Sequence, residues 1–196
     1  GTTEPSNAEE FCSGISLAEP LQTHAAHDSK RGTRHNTVHT GMSDLVIGVD
    51  VGTGSARAGV FDLAGKRLGS ATRNIKTWTN NGGDFVEQSS EDIWRSCSEA
   101  VKEALGGIDK GRVVGISFDA TCSLVVLDKG GNPLSVSDED DPRNERNIIV
   151  WMDHRSEQEA RSVNEKGHSA LSTVGGVISP EMEVPKIMWL ASHKPA

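Results

Sequence analysis

Cysteine is sparse in this chain, and neither apolar residues nor positive charges gather into long blocks. The three cysteines, Cys12, Cys97 and Cys122, are odd in number and far apart, with no C-x-x-C pair. Neither a disulfide framework nor a zinc site follows, and a reducing, cytoplasmic setting is the simpler expectation. No stretch approaches the roughly 18 apolar residues that a membrane-spanning helix needs. The beginning of the chain lacks the apolar core of a cleaved signal peptide. With 20 basic against 28 acidic residues the net charge is −8, and no Lys/Arg run offsets it. Nucleic acid and membranes are therefore not expected partners. What is present, 35% apolar and 24% charged residues over 196 positions, suits one sizeable globular domain with an appendage.

Residues 1–42 form that appendage. They are rich in Ser, Thr, His, Asn and Glu, without apolar periodicity, and are expected to be a disordered leader. Met42, the first methionine, stands just before the first strong strand, so either Met42 is the expected functional start or the leader is a tag-like or translated upstream extension. From residue 43 the pattern changes. "LVIGVD" (45–50), "RAGVFD" (57–62) and "KRLGSATRNI" (66–75) read as strands joined by short turns, which predicts an antiparallel meander. "SSEDIWRSCSEAVKEAL" (89–105) reads as a helix capped by Ser90, with Glu91 and Asp92 at its positive end and a stop at Gly106-Gly107. Further strands are expected at 112–118, 123–128 and 147–151, with helices near 153–165 and over 180–193. This order gives an α/β fold and is consistent with an RNase H-like core: a mixed sheet with flanking helices, as in actin-like ATPases and sugar kinases.

The turn between the first two strands, "DVGTGSAR", carries the chemistry. Asp50, Gly52, Thr53, Gly54, Ser55 and Arg57 crowd into one hairpin loop. Glycines let backbone amides approach an anion, two hydroxyls and a guanidinium add donors, and Asp50 can organise a magnesium ion through water. A dinucleotide fingerprint is excluded because Arg57 stands where the third glycine belongs and a strand, not a helix, follows. A nucleotide P-loop is excluded because no G-K-[ST] is present. A plain hairpin turn would need only glycine and a polar neighbour.

The loop resembles the first phosphate motif of the FGGY carbohydrate kinases, which phosphorylate sugars or polyols with ATP and magnesium. Further segments extend the resemblance in the family's order: "GDFVEQSSEDIW" (83–94), "GISFDATCSLVVLD" (115–128), "IIVWMDHR" (148–155) and "PKIMWL" (185–190). It covers the chain from about residue 45 to the end and implies the first part of the family's N-terminal, sugar-binding domain. Glycerol kinases carry an Arg-Glu pair where this sequence has Ala120 and Thr121. Within the family the chain is most similar to the eukaryotic D-ribulokinases, which implies D-ribulose as substrate. Xylulose, L-ribulose and ribitol remain alternatives, as does an actin- or chaperone-like ATPase module.

The resemblance implies that Thr53, Gly54, Ser55 and Arg57 hold the transferring phosphate, with Gly52 shaping the loop and Asp50 orienting hydrated magnesium. It implies sugar contacts at Asp119, Ala120, Thr121, Asp153, Arg155 and Lys186. Glu87 is expected to order the approach to the helix, and His154, Cys122 and the tryptophans to be packing residues. The family's general base and adenosine pocket are expected beyond Ala196, so the 196 residues alone are expected to be an inactive N-terminal fragment. The partners implied are ATP and a small sugar, with a homodimer as the expected full-length assembly.

Overall fold

β1 (Leu45–Val51) alternates strictly: Leu45, Ile47, Val49 and Val51 are buried, and the residues between them face away. That period of two makes one face of the first sheet the core and leaves the other face for chemistry. In the computed structural model, which describes residues 43–194, β1 pairs antiparallel with β2 (Ser55–Asp62), and β2 antiparallel with β3 (Arg67–Asn74). The predicted meander is therefore present. β6 (Val113–Ala120) returns beside β1 in parallel, giving the order β3-β2-β1-β6. The residues expected to form a leader lie outside the described part of the chain.

α1 (Ser90–Leu105) closes the core face. Cys97, Ala100, Val101 and Ala104 are buried against Ala56, Ala58, Val60, Ala71 and the β1 side chains. Each fully buried Val, Leu or Ile here contributes about 1.5–3 kcal/mol. The alanines let the helix sit close, and β3 answers with Gly69, where a Cβ would collide with the Ala104 carbonyl oxygen. The cap is Ser89 rather than Ser90: its hydroxyl accepts from the Asp92 N–H at 3.2 Å. Ser90 instead pairs reciprocally with Asn147, whose Oδ1 accepts the Ser90 N–H at 2.9 Å. At the other end Gly106 adopts a φ of 51°, which glycine takes without strain.

A second sheet is built from β4 (Thr77–Asn80), β5 (Phe85–Gln88), β7 (Leu124–Val125) and β8 (Ile148–Ile149). Its order is β4-β5-β8-β7, antiparallel throughout. β7 and β8 are much shorter than the sequence pattern suggested, and β4 and β5 were not expected as strands. α2 (Glu157–Lys166) and α3 (Glu183–His193) pack against each other, and Trp189 of α3 meets the Phe85 ring of β5 edge to face. Pro185 lies in the first turn of α3, where its missing N–H costs nothing.

Candidate active site

The register of the first sheet places four polar residues in one row across its open face. Thr72 on β3 lies beside Arg57, Arg57 beside Asp50, and Asp50 beside Asp119 at the end of β6. The next row inward is Ser70, Gly59, Gly48 and Ser117, whose small side chains leave a trough of about 500 Å³ over the sheet. Phe61 fills part of it by leaning over Gly59, where a Cβ would meet the ring. Asp50, Arg57 and Asp119 all line this trough.

Arg57 Nη1 donates to Asp50 Oδ2 at 2.7 Å, and both side chains are more than half exposed. An exposed pair of this kind adds about 0–1 kcal/mol to stability. The pair leaves the remaining guanidinium N–H groups and the second Asp50 oxygen available to the trough, where an anion and a hydrated cation would be held side by side.

Within the loop, the Gly52 N–H is spent on the Ser55 carbonyl at 3.0 Å, so Gly52 shapes the turn rather than offering its amide to an anion. The Gly54 carbonyl accepts the Ile75 N–H at 3.0 Å and ties the loop to the end of β3. A Cβ at Gly54 would meet nothing within 4 Å, so the backbone there is open to close approach by a ligand. Thr53 is gripped from the second sheet. Trp151 Nε1 donates to its hydroxyl at 3.0 Å, and Gln88 Nε2 donates to its carbonyl at 2.6 Å. Gln88 and Trp151 were not among the expected site residues. "VEQ" (86–88) reads as the run-up to a helix, and tryptophan reads first as core.

The chain after β6 turns back at Thr121, whose N–H donates to the Val51 carbonyl at 3.1 Å. Ala120 and Thr121 line a second, mainly apolar cavity of about 320 Å³, between the ends of β1 and β6, α1 and β7. Asp119 and Ala120 thus look into different spaces, as neighbours on a strand must.

Asp153, Arg155 and Lys186 stand elsewhere. Asp153 is 0% exposed; its Oδ2 accepts the Val86 N–H at 2.6 Å, and both its oxygens accept from Arg155. Arg155 also donates to Glu87 Oε1 at 2.9 Å and to the Val136 carbonyl at 2.8 Å. Its guanidinium lies over the rings of Phe85 and Trp189. Lys186 is wholly buried and donates to the carbonyls of Trp151 and Glu181, at 3.0 and 2.8 Å. Burial holds this amine below the ordinary lysine value, and the nearby Glu183 and Asp153 carboxylates partly offset the effect. Buried charged groups need partners, and here Asp153 and Arg155 pair with each other while the Lys186 amine is met by two backbone carbonyls, all inside the protein rather than on open surface. His154 faces outward, 3.3 Å from Glu181. Cys122 is exposed and Cys97 buried, and burial raises the Cys97 thiol.

Magnesium of the kind a phosphoryl donor carries takes one or two carboxylates and keeps several waters. Asp50 and Asp119, on adjacent strands and one face, fit that requirement. Among the described residues no group of three or more His, Cys, Asp or Glu side chains forms a cage for a metal ion. Also among them, no helix is long and apolar enough to cross a membrane.

Solved structures of similar fold define the class. A xylulose kinase from Rhodospirillum rubrum superimposes with a TM-score of 0.65 at 20% identity, covering 77% of this chain and 30% of that one. A gluconate kinase from Lactobacillus acidophilus gives 0.66 at 21%, covering 77% and 29%. The fold is that of the sugar kinases, with an actin-like, RNase H-type core. Residues 45–196 match the N-terminal domain of the FGGY family of carbohydrate kinases, and the chain belongs to that family. It is 49% identical over 147 residues to a human FGGY carbohydrate kinase domain-containing protein, covering 75% of this chain and 26% of the relative. It is 44% identical over 149 residues to a D-ribulokinase of Saccharomyces cerevisiae, covering 75% and 21%. The chain thus spans about a quarter of the length of these curated relatives.

Proposed function

We propose that the intact protein carrying this chain transfers the γ-phosphoryl group of ATP to a primary hydroxyl of a ketopentose, D-ribulose, giving D-ribulose 5-phosphate. The observation that carries the reading is the row Arg57–Asp50–Asp119, set across adjacent strands beside the Thr53–Ser55 loop. Phosphoryl transfer needs two oxygens held in line and the equatorial phosphate charge neutralised. Arg57 supplies a fork of donors to the γ-phosphoryl oxygens, and Thr53 and Ser55 add hydroxyls. Asp50 and Asp119 would hold hydrated magnesium, which supplies further charge neutralisation when bound.

The sugar is assigned to the cavity at the end of β6, where Ala120 and Thr121 offer open space and a hydroxyl, with Asp119 on the other side of the strand facing the trough. Small residues there leave room for a five-carbon chain, and the similarity to a D-ribulokinase supports the choice of pentulose. Asp153, Arg155 and Lys186 act behind that surface by fixing the second sheet and α3. The test is to incubate the intact protein with ATP, magnesium and a panel of D-ribulose, D-xylulose, L-ribulose, ribitol and glycerol, and to identify products by phosphorus NMR. D-Ribulose 5-phosphate should dominate. Preferential phosphorylation of another member would overturn the substrate, and no sugar phosphate from any would overturn the kinase reading.

A further inference from the structure

Trp151 makes polar contacts in three directions. Its indole N–H donates to the Thr53 hydroxyl at 3.0 Å. Its backbone N–H donates to the Ser123 hydroxyl at 3.2 Å, and its carbonyl accepts from the buried Lys186 amine at 3.0 Å. One residue therefore touches the loop after β1, the turn after β6 and α3, and it reaches the loop across 98 positions of sequence. From these contacts we infer that Trp151 is a positioning residue whose indole N–H sets the direction in which the Thr53 hydroxyl donates, and so couples the phosphate loop to the sugar-facing turn. The inference rests on the kinase reading above.

Donor and acceptor capacity decides the direction. Indole nitrogen can only donate. A hydroxyl that accepts from it has one lone pair engaged, and its single proton is left for another acceptor. Gln88 closes the alternative of a backbone swing, because its carboxamide nitrogen donates both to the Thr53 carbonyl at 2.6 Å and to Thr77 Oγ1 at 3.0 Å. Gln88 is buried, so these bonds are not readily exchanged for water. Thr53 is thus fixed at its carbonyl and at its hydroxyl oxygen, with the hydroxyl proton as the free element that meets a phosphoryl oxygen. Ser123 follows Ala120 and Thr121 closely in the chain, so a shift of the turn is passed through Trp151 to Thr53.

The test is a double-mutant cycle on the intact enzyme. Trp151→Phe keeps an aromatic ring and removes the N–H; Thr53→Val keeps the shape and removes the hydroxyl. Trp151→Phe should lower kcat about tenfold, the scale of a misplaced group near the reacting atoms, with the sugar KM little changed. Thr53→Val should lower kcat at least as much, and the double variant should match Thr53→Val alone because one interaction is being removed twice. Multiplying effects in the double variant, or a Trp151→Phe kcat within about twofold of the parent, would overturn the inference and leave the kinase reading standing. A parent enzyme that phosphorylates no sugar would end both. Should Trp151→Phe fail to fold, nitrogen-15 spectra of the indole groups in Thr53→Val decide: one indole proton resonance should move upfield on losing its acceptor, and an unchanged set would refute the contact.

Discussion

Replacing Arg155 with Met tests how the second sheet is held. The guanidinium has no exposed surface, and its partners Asp153 and Glu87 are 0% and 1% exposed at the side chain. Methionine fills much of the volume between Phe85 and Trp189, so the loss is mainly electrostatic: two buried carboxylates lose their common counter-ion. Breaking a buried pair by removing one partner costs about 3–5 kcal/mol. For a domain of this size that is a fall in Tm of about 10 °C, readable by thermal and urea unfolding followed by tryptophan fluorescence. The same mechanism predicts partial repair. Adding Glu87→Gln and Asp153→Asn to Arg155→Met removes both carboxylates, Asp153 left without Arg155 and Glu87 left with Arg146 at 3.8 Å. The carboxamide oxygen that Asp153→Asn introduces can still accept the Val86 N–H, so stability should recover by at least about 1 kcal/mol. A fall of less than about 1 kcal/mol for the single variant, or further loss in the triple one, would refute the paired-charge account.

Gly69→Ala should destabilise by about 1–3 kcal/mol, because the added Cβ pushes α1 off β3 at the Ala104 carbonyl; denaturant unfolding measures it, and a neutral result would show that the helix can slide freely. Lys186 gives a pH test. Its amine binds a proton less readily in the folded protein than in the unfolded chain, so the unfolded state holds more protons between the lowered value and the ordinary lysine value of about 10.4. Stability from this group therefore rises as pH climbs through that window and is flat below it; Lys186→Met should lack that rise, and an identical alkaline profile in both proteins would contradict the assignment. Ala120→Arg should cut kcat/KM for D-ribulose by at least about tenfold while leaving Tm nearly unchanged, since the side chain enters the space assigned to the sugar from an exposed position. Steady-state kinetics decides that point, and an unaltered kcat/KM would move the sugar away from the end of β6.

Much of the first sheet was legible because its signals are local. Leu45, Ile47, Val49 and Val51 recur at every second position with Gly48 and Asp50 in the later gaps, and the apolar positions of 93–105 recur at helical spacing, so strand and helix follow from periodicity. The hairpin after β1 stood out as a candidate phosphate loop because Asp, Gly, hydroxyl and Arg seldom crowd into a turn for structural reasons alone. β4 and β5 were hidden for the opposite reason. "TWTN" and "FVEQ" are four-residue strands whose inward groups include Glu87 and Gln88, polar side chains buried only because Arg155 and Thr53 meet them. Partners 35 or 68 positions away leave no trace in a local pattern. Asp153, Arg155 and Lys186 carry charges that suggest a surface role, yet each is enclosed and hydrogen-bonded inside the protein; sequence reveals the charge and not the enclosure. Ser89 and Ser90 are equivalent capping residues by chemistry, and only the distant Asn147 decides which of them caps α1.

Coupled ADP release by the intact protein and by its Arg57→Ala variant, with and without D-ribulose, tests the central claim most directly. Sugar-dependent ADP formation should be plain in the parent and fall by about 100-fold or more in Arg57→Ala, while Tm changes by no more than an exposed ion pair allows. Equal rates in the two proteins, or ADP release indifferent to every ketopentose and polyol, would contradict the assignment of this hairpin to the transferring phosphoryl group.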